Sequence, residues 1–195
     1  MTLRSRTPLL AAASLAFTIL PALAQMPPPR ATIETSLGNI VVELDAEHTP
    51  GTVANFAQYA REGHFDGTVF YRVVPGFVIQ AGSFDAQGQP RGVHDPIPLE
   101  TANASPNLRG TITMARDDEP NSARAEFFIN LADNKSLDHQ PDDHENKTGF
   151  APFGHVVEGM DVVDRIAQLP LNGGIGPFPD AAPATPVVIM KVTFQ

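Results

Sequence analysis

The chain contains no cysteine. A disulfide and a lipid-anchored cysteine are therefore both impossible, and stability must come from packing and hydrogen bonds. Basic residues are scarce: 13 Lys and Arg stand against 22 Asp and Glu, a formal net charge of −9 at pH 7. So acidic a chain is a poor candidate for binding nucleic acid or anionic lipid, and its partners are expected to be neutral or basic. Long hydrophobic runs are also lacking, with one exception near the start. Leu9–Leu20 is apolar apart from Ser14 and Thr18. Arg4 and Arg6 precede it, Pro21 breaks it, and Ala22-Leu23-Ala24 has the small-residue form of a cleavage site. The run is too short to span a bilayer comfortably, so a cleaved export signal over 1–24 fits better than a membrane anchor. Arg4 and Arg6 are not adjacent, which favours the general export route over the twin-arginine route. Removing the two arginines with the leader leaves eleven basic against 22 acidic residues, a net charge of −11. The mature chain would begin at Gln25 and remain off the membrane, with a Pro-rich spacer over 25–30 and one domain over 31–195.

Along that domain the periodicity is mostly that of short strands. Ala31–Thr35 and Asn39–Leu44 read as a hairpin across Ser36-Leu37-Gly38. Thr49 offers an N-cap and Pro50 a first helical position, and Val53, Phe56, Ala57 and Ala60 follow at helical spacing, with Gly63 closing the helix. Thr68–Val74 and Phe77–Ala81 are predicted strands joined by the turn dipeptide Pro75-Gly76. Gln87–Pro98 reads as loop. Gly110–Ala115, Glu126–Leu131 and Pro152–Val157 are further strands, Gly159–Leu169 a second helix, Leu171–Thr185 a Gly- and Pro-rich connection, and Val187–Phe194 a closing strand. Seven or eight strands with two helices at opposite ends favour a barrel or sandwich. A barrel removes exposed edges, and the helices would plug its open ends.

Residues 70–80 carry the most information. Arg72 and Gln80 are set into an otherwise apolar strand pair, and ionised side chains are rarely buried without a partner. Arg72, Val78, Gln80, Glu126 and Phe128 are all even-numbered, so in period-2 strands they share a face, which Phe70 and Val74 would also join. Phe127, the odd partner, reads as core. The pattern suggests an apolar groove with a fixed cation beside it, suited to a neutral, proline-containing peptide. The plain alternative for Arg72 is a snorkelling side chain on a barrel exterior.

Several blocks together are similar to the cyclophilins. They are Phe70-Tyr71-Arg72-Val73-Val74-Pro75-Gly76-Phe77-Val78-Ile79-Gln80, Asn107–Ala115, Phe127-Phe128-Ile129, Leu137-Asp138 and Phe153–Met160. The likeness runs over residues 31–194 in the family's order and looks most like its exported bacterial branch. The resemblance implies a mainly β fold, a closed eight-stranded antiparallel barrel capped by two α-helices. It implies peptidyl-prolyl cis/trans isomerase activity without cofactor or metal. Combined with the leader, it implies a periplasmic location and proline-containing, exported polypeptides as substrates. Residue by residue, Arg72 corresponds to the catalytic arginine. Gln80 corresponds to the glutamine that contacts the substrate backbone. Phe77, Val78 and Phe128 correspond to the floor and walls of the proline pocket, and Ala115 and Leu137 to other wall positions. Phe150, also assigned to substrate binding, falls at or near a position held by histidine in many members and by an aromatic in bacterial ones.

The chain departs from the family at three places. Glu126 stands where many members have glutamine; it cannot donate as an amide can, and it could pair with Arg72. Ser136 precedes Leu137 where many eukaryotic members have tryptophan, so cyclosporin binding is expected to be weak; the whole chain lacks tryptophan. The loop 138–149 is long and acidic, with His139, Asp142, Asp143, His144 and Glu145; these are metal-ligand types, but the run has no ligand spacing and reads as a solvated loop. His48, His64, His94 and His155 show no catalytic arrangement. Nothing in the sequence demands more than a monomer. The competing reading is a catalytically weak module that grips proline-containing peptides or a partner protein.

Overall fold

Two alternating segments open the described chain and set its inner surface. The structure is a computed structural model that describes residues 28–140 and 148–194. The leader predicted over 1–24, residues 25–27 of the spacer, and Asp142, Asp143, His144 and Glu145 lie outside the described residues. In β1 (Arg30–Thr35) and β2 (Gly38–Leu44) every second side chain is buried, as strand geometry requires when one face is covered. Their antiparallel register places Ile33 opposite Ile40 and Ala31 opposite Val42. The remaining strands are β3 (Arg72–Val74), β4 (Val78–Ala81), β5 (Thr111–Met114), β6 (Phe127–Asn130), β7 (Pro152–Glu158) and β8 (Ile189–Phe194). They form one antiparallel eight-stranded sheet in the order β3-β4-β6-β5-β7-β2-β1-β8.

The barrel closes between the two ends of that order, but not through β3 itself. The segment just before β3 makes the seam with the start of β8 and the residues leading into it. Gly67 N–H donates to Ile189 O at 2.8 Å, Ile189 N–H to Thr68 O at 2.8 Å, and Phe70 N–H to Val187 O at 3.1 Å. The strand predicted over Thr68–Val74 is accordingly split. Its first half serves the seam and also bonds Phe84 O through Val69 N–H, while only Arg72–Val74 pairs with β4. The switch of partner reverses the facing of the chain. Phe70 therefore points inward, fully buried and edge-on to Phe127 at 6.4 Å, instead of sharing the face of Arg72.

Two helices, α1 (Pro50–Arg61) and α2 (Met160–Ala167), add their apolar faces to the same core. Phe56 of α1 is its hub, with ring centroids 5.1–6.1 Å from Phe65, Phe127, Phe153 and Phe194. The α1 terminus follows the predicted pattern: Gly63 takes φ +70°, Gly63 N–H bonds Ala60 O and His64 N–H bonds Tyr59 O, a Schellman closure. The start differs from expectation. Thr49 occupies the N-cap position, but its hydroxyl donates back to Asp45 O. Glu100, about fifty residues away in sequence, supplies the cap, accepting from Gly51 N–H at 3.0 Å and Thr52 N–H at 2.8 Å. A carboxylate there satisfies orphan donors and faces the positive end of the helix dipole. It also ties the long connection after β4 to the barrel.

Candidate active site

Strand register sets the polar line of the site. Arg72 lies opposite Gln80, and Gln80 opposite Phe128. Their neighbours Val73, Ile79 and Ile129 lie opposite one another in turn and are buried in the barrel core. Alternation therefore delivers Arg72, Gln80 and Phe128 to the outer face of β3, β4 and β6.

An apolar cluster, separate from the barrel interior, stands beside that line. Val78, Ala115 and Phe128 form it, with Phe77, Leu137 and Phe150 packed against them. The Phe150 ring meets Phe128 edge-on at 5.8 Å. Phe77, Leu137 and Phe150 lie outside the strands, and buried amides fix them. Asn134 Nδ2 donates to Phe77 O at 2.9 Å, and Asn107 Nδ2 donates to Leu137 O at 3.2 Å and Phe150 O at 3.3 Å. Asn130, fully buried, donates to Thr111 Oγ1 at 2.8 Å and accepts from Asn134 Nδ2 at 2.7 Å. A buried polar network satisfied this way holds its members in one arrangement. The apolar walls are rigid because the amides behind them have partners.

The whole cluster opens into a cavity of about 430 Å³. Arg72, Phe77, Val78, Gln80, Ala115, Glu126, Phe128, Leu137 and Phe150 all line it. So do residues that the sequence reading passed over: Tyr71, Phe84, Arg116, Asp117, Pro177 and Phe178. Tyr71 was hidden because its odd number assigned it to the opposite face. It reaches the cavity through the same reversal of facing that buries Phe70. Arg116 directly follows Ala115, and its guanidinium lies 4.6 Å from the Phe150 centroid while Nε donates to Gly149 O. Phe178 is a lone aromatic in a Gly- and Pro-rich stretch, and that isolation was its one signal. Ser136 does not line the cavity, nor do His48, His64, His94 or His155.

Around Arg72 the hydrogen bonds run in one direction. Arg72 Nη1 donates to Gln80 Oε1 at 2.9 Å. Gln80 Nε2 donates to Tyr71 Oη at 2.7 Å and to Glu126 Oε2 at 2.8 Å. Tyr71 Oη donates to Glu126 Oε2 at 2.9 Å. The amide of Gln80 is thereby held with its oxygen toward Arg72. Burial, and next the charge of Glu126, push the Tyr71 hydroxyl far above its ordinary range, so it stays a protonated donor. The sequence left open a direct Glu126–Arg72 pair. In the structure Glu126 takes Tyr71 and Gln80 instead, and among the described residues no carboxylate forms an ion pair with Arg72. The guanidinium keeps donors free beside the apolar cluster.

Comparison with known proteins agrees with this arrangement. The family model described as cyclophilin type peptidyl-prolyl cis-trans isomerase/CLD matches residues 30–194. The chain is 42% identical over 171 residues to peptidyl-prolyl cis-trans isomerase A of Dickeya dadantii (strain 3937), covering 88% of this chain and 87% of that protein. It is 40% identical over 162 residues to peptidyl-prolyl cis-trans isomerase B of Escherichia coli (strain K12), covering 83% and 97%. Among solved structures, a Cryptosporidium parvum cyclophilin type isomerase crystallised in the presence of the dipeptide Ala-Pro aligns with TM-score 0.71 at 20% identity, covering 85% of this chain and 98% of that one. A cyclophilin from Hirschia baltica aligns with TM-score 0.66 at 22% identity, covering 86% and 74%. By sequence and by fold, the chain belongs to the cyclophilin-type peptidyl-prolyl cis-trans isomerases.

Proposed function

We propose that this chain accelerates rotation about X-Pro bonds by seating the proline ring among Phe77, Val78, Phe128 and Leu137 and presenting Arg72 to the imide nitrogen. No bond is made or broken. The barrier of about 18–20 kcal/mol comes from the double-bond character of the amide. A catalyst need only bind the twisted amide better than either planar form. As the amide twists, its nitrogen becomes pyramidal and regains a lone pair. A guanidinium is permanently protonated and holds its donors in a rigid plane, so it can bond that lone pair selectively. The observation that carries the reading is the placement of Arg72: beside the apolar pocket, bonded to the neutral Gln80 and unquenched by a carboxylate.

Magnitudes divide the labour. Going from roughly one event per minute to about a hundred per second requires about 5 kcal/mol of barrier lowering. A hydrogen bond to a charged group contributes about 1.5–3 kcal/mol. Arg72 therefore does not act alone. The apolar walls displace water that favours the dipolar planar amide, and Gln80 is placed to hold the substrate backbone.

The substrates in this reading are exported, proline-containing polypeptides during folding, met in the periplasm after removal of residues 1–24. The chain acts as a monomer. Cyclosporin binds weakly, because Ser136 offers no indole; nanomolar affinity by isothermal titration calorimetry contradicts that part. A protease-coupled assay on an X-Pro peptide tests the core. An active parent and at least a tenfold loss in Phe128→Ala support the pocket. Equal activity in both contradicts it, and inactivity in both favours a module that grips without turnover. N-terminal sequencing of the secreted protein tests the leader, with Gln25 expected as the first residue.

A further inference from the structure

Phe178 is large, apolar and 46% exposed. Its ring lies over the Arg72 guanidinium, 5.0 Å from centroid to Cζ. The segment that carries it is anchored on both sides. Ile175 and Ala182 are buried in a small cluster with Val69 and Tyr71. Asn172 and Gly173 N–H both bond Ala182 O, Gly174 N–H bonds Pro179 O, and Ala181 N–H bonds Phe178 O. Gly176 takes φ +71° and lies so close that a Cβ there would stand 3.0 Å from the Tyr71 ring and 3.4 Å from Phe84. The loop is thus built against the same Tyr71 that bonds Glu126, and it delivers one aromatic face to one cation.

We infer that Phe178 is a positioning residue for Arg72, clamping the guanidinium against Gln80 through a cation–π contact that consumes none of its donors. A carboxylate would hold the cation more strongly, but it would occupy the N–H groups that the twisted imide needs and would neutralise the charge. An aromatic face attracts the cation through its quadrupole and leaves the in-plane N–H groups free. Two carboxylates line the cavity, and among the described residues neither forms an ion pair with Arg72: Glu126 is engaged with Tyr71 and Gln80, and Asp117 pairs with no cation there. Arg72 is left between two neutral partners, an amide oxygen at 2.9 Å and a ring at 5.0 Å. This inference rests on Arg72 being the catalytic donor, so the test carries that residue as a separate arm.

The experiment compares the parent with Phe178→Leu, Phe178→Trp and Arg72→Ala, measuring kcat and KM on an X-Pro peptide. Leucine keeps apolar bulk without a π face; tryptophan keeps the face. A cation–π contact at an exposed site corresponds to a roughly two- to fivefold change in rate. Phe178→Leu is expected to lower kcat by about threefold or more with KM unchanged, and Phe178→Trp to recover kcat to within about twofold of the parent. Parental kcat in Phe178→Leu overturns the inference, as does a change in KM alone, or an equal loss in the leucine and tryptophan variants. If Arg72→Ala itself retains parental kcat, the catalytic reading of Arg72 fails first. A second measurement does not depend on the variants folding: in the parent, the Arg72 Cδ protons should show an upfield ring-current shift by NMR. An unshifted Arg72 side chain also overturns the clamp.

Discussion

Replacing Glu126 by glutamine removes a charge while keeping the shape of the side chain, and the outcome separates two roles for the carboxylate. One oxygen, Oε2, accepts from both Tyr71 Oη and Gln80 Nε2. An amide oxygen at the same place can accept both bonds. What is lost is charge assistance, the difference between about 1.5–3 kcal/mol for a bond to a charged group and about 0.5–1.5 for a neutral one. Two such bonds place the expected loss of stability at roughly 2–3 kcal/mol, readable by urea unfolding. Activity should be at least equal to the parent, because Gln80 remains oriented with its oxygen toward Arg72. Glu126→Ala is the contrasting perturbation. It leaves the Tyr71 hydroxyl and Gln80 Nε2 without their shared acceptor, so the Gln80 amide can flip and turn its NH2 toward Arg72. A misdirected guanidinium should lower kcat about tenfold, equivalent to about 1.4 kcal/mol in the transition state. The assay is the protease-coupled one, on the same peptide for all three proteins. A loss above tenfold in Glu126→Gln, or parental activity in Glu126→Ala, would refute the view that this residue acts by orienting Gln80.

Two further outcomes follow from the fold. Glu100→Ala removes the cap of α1 and should cost about 0.5–2 kcal/mol in urea unfolding with little effect on kcat; an unchanged midpoint would show that water caps the helix as well. Burial lowers the pKa of His64 below the ordinary 6.5, opposed by its bond to Gly82 O. The unfolded chain then binds a proton that the folded one resists. The contribution of His64 to stability is full above pH 6.5 and is lost as pH falls through that value toward the folded pKa. Urea midpoints measured from pH 8 to pH 5 should therefore fall less in His64→Gln than in the parent; parallel curves would contradict the assignment.

Strands and core were legible in this sequence because they depend on local alternation. Residues 31–44 show it plainly, and the even-numbered set Arg72, Val78, Gln80 and Phe128 reaches one cavity because the registers of β3 with β4 and of β4 with β6 pair even residues with even. The reading failed where a partner changes. Phe70 and Tyr71 sit at the handover from the seam to β4, and no local pattern announces that the facing reverses there. Thr49 was legible as a cap by position and not by bonding, since the true acceptor, Glu100, comes from a distant loop. The engagement of Glu126 with Tyr71 also depends on tertiary contact, so a direct pair with Arg72 was an equally reasonable expectation from sequence. Phe178 lies in a segment whose glycines and prolines identify it as a connection, and composition says nothing about which side chain such a connection lays on a neighbour.

The central claim is that Arg72 binds the twisted imide and not the planar one. It is tested most directly by measuring binding and turnover on the same peptide in the parent and in Arg72→Ala, with NMR titration for Kd and exchange spectroscopy for the catalysed cis/trans rate. The account predicts a Kd within about threefold of the parent and an exchange rate at least tenfold lower, a loss confined to the transition state. An unchanged exchange rate, or a rate that falls only in proportion to lost affinity, would contradict it.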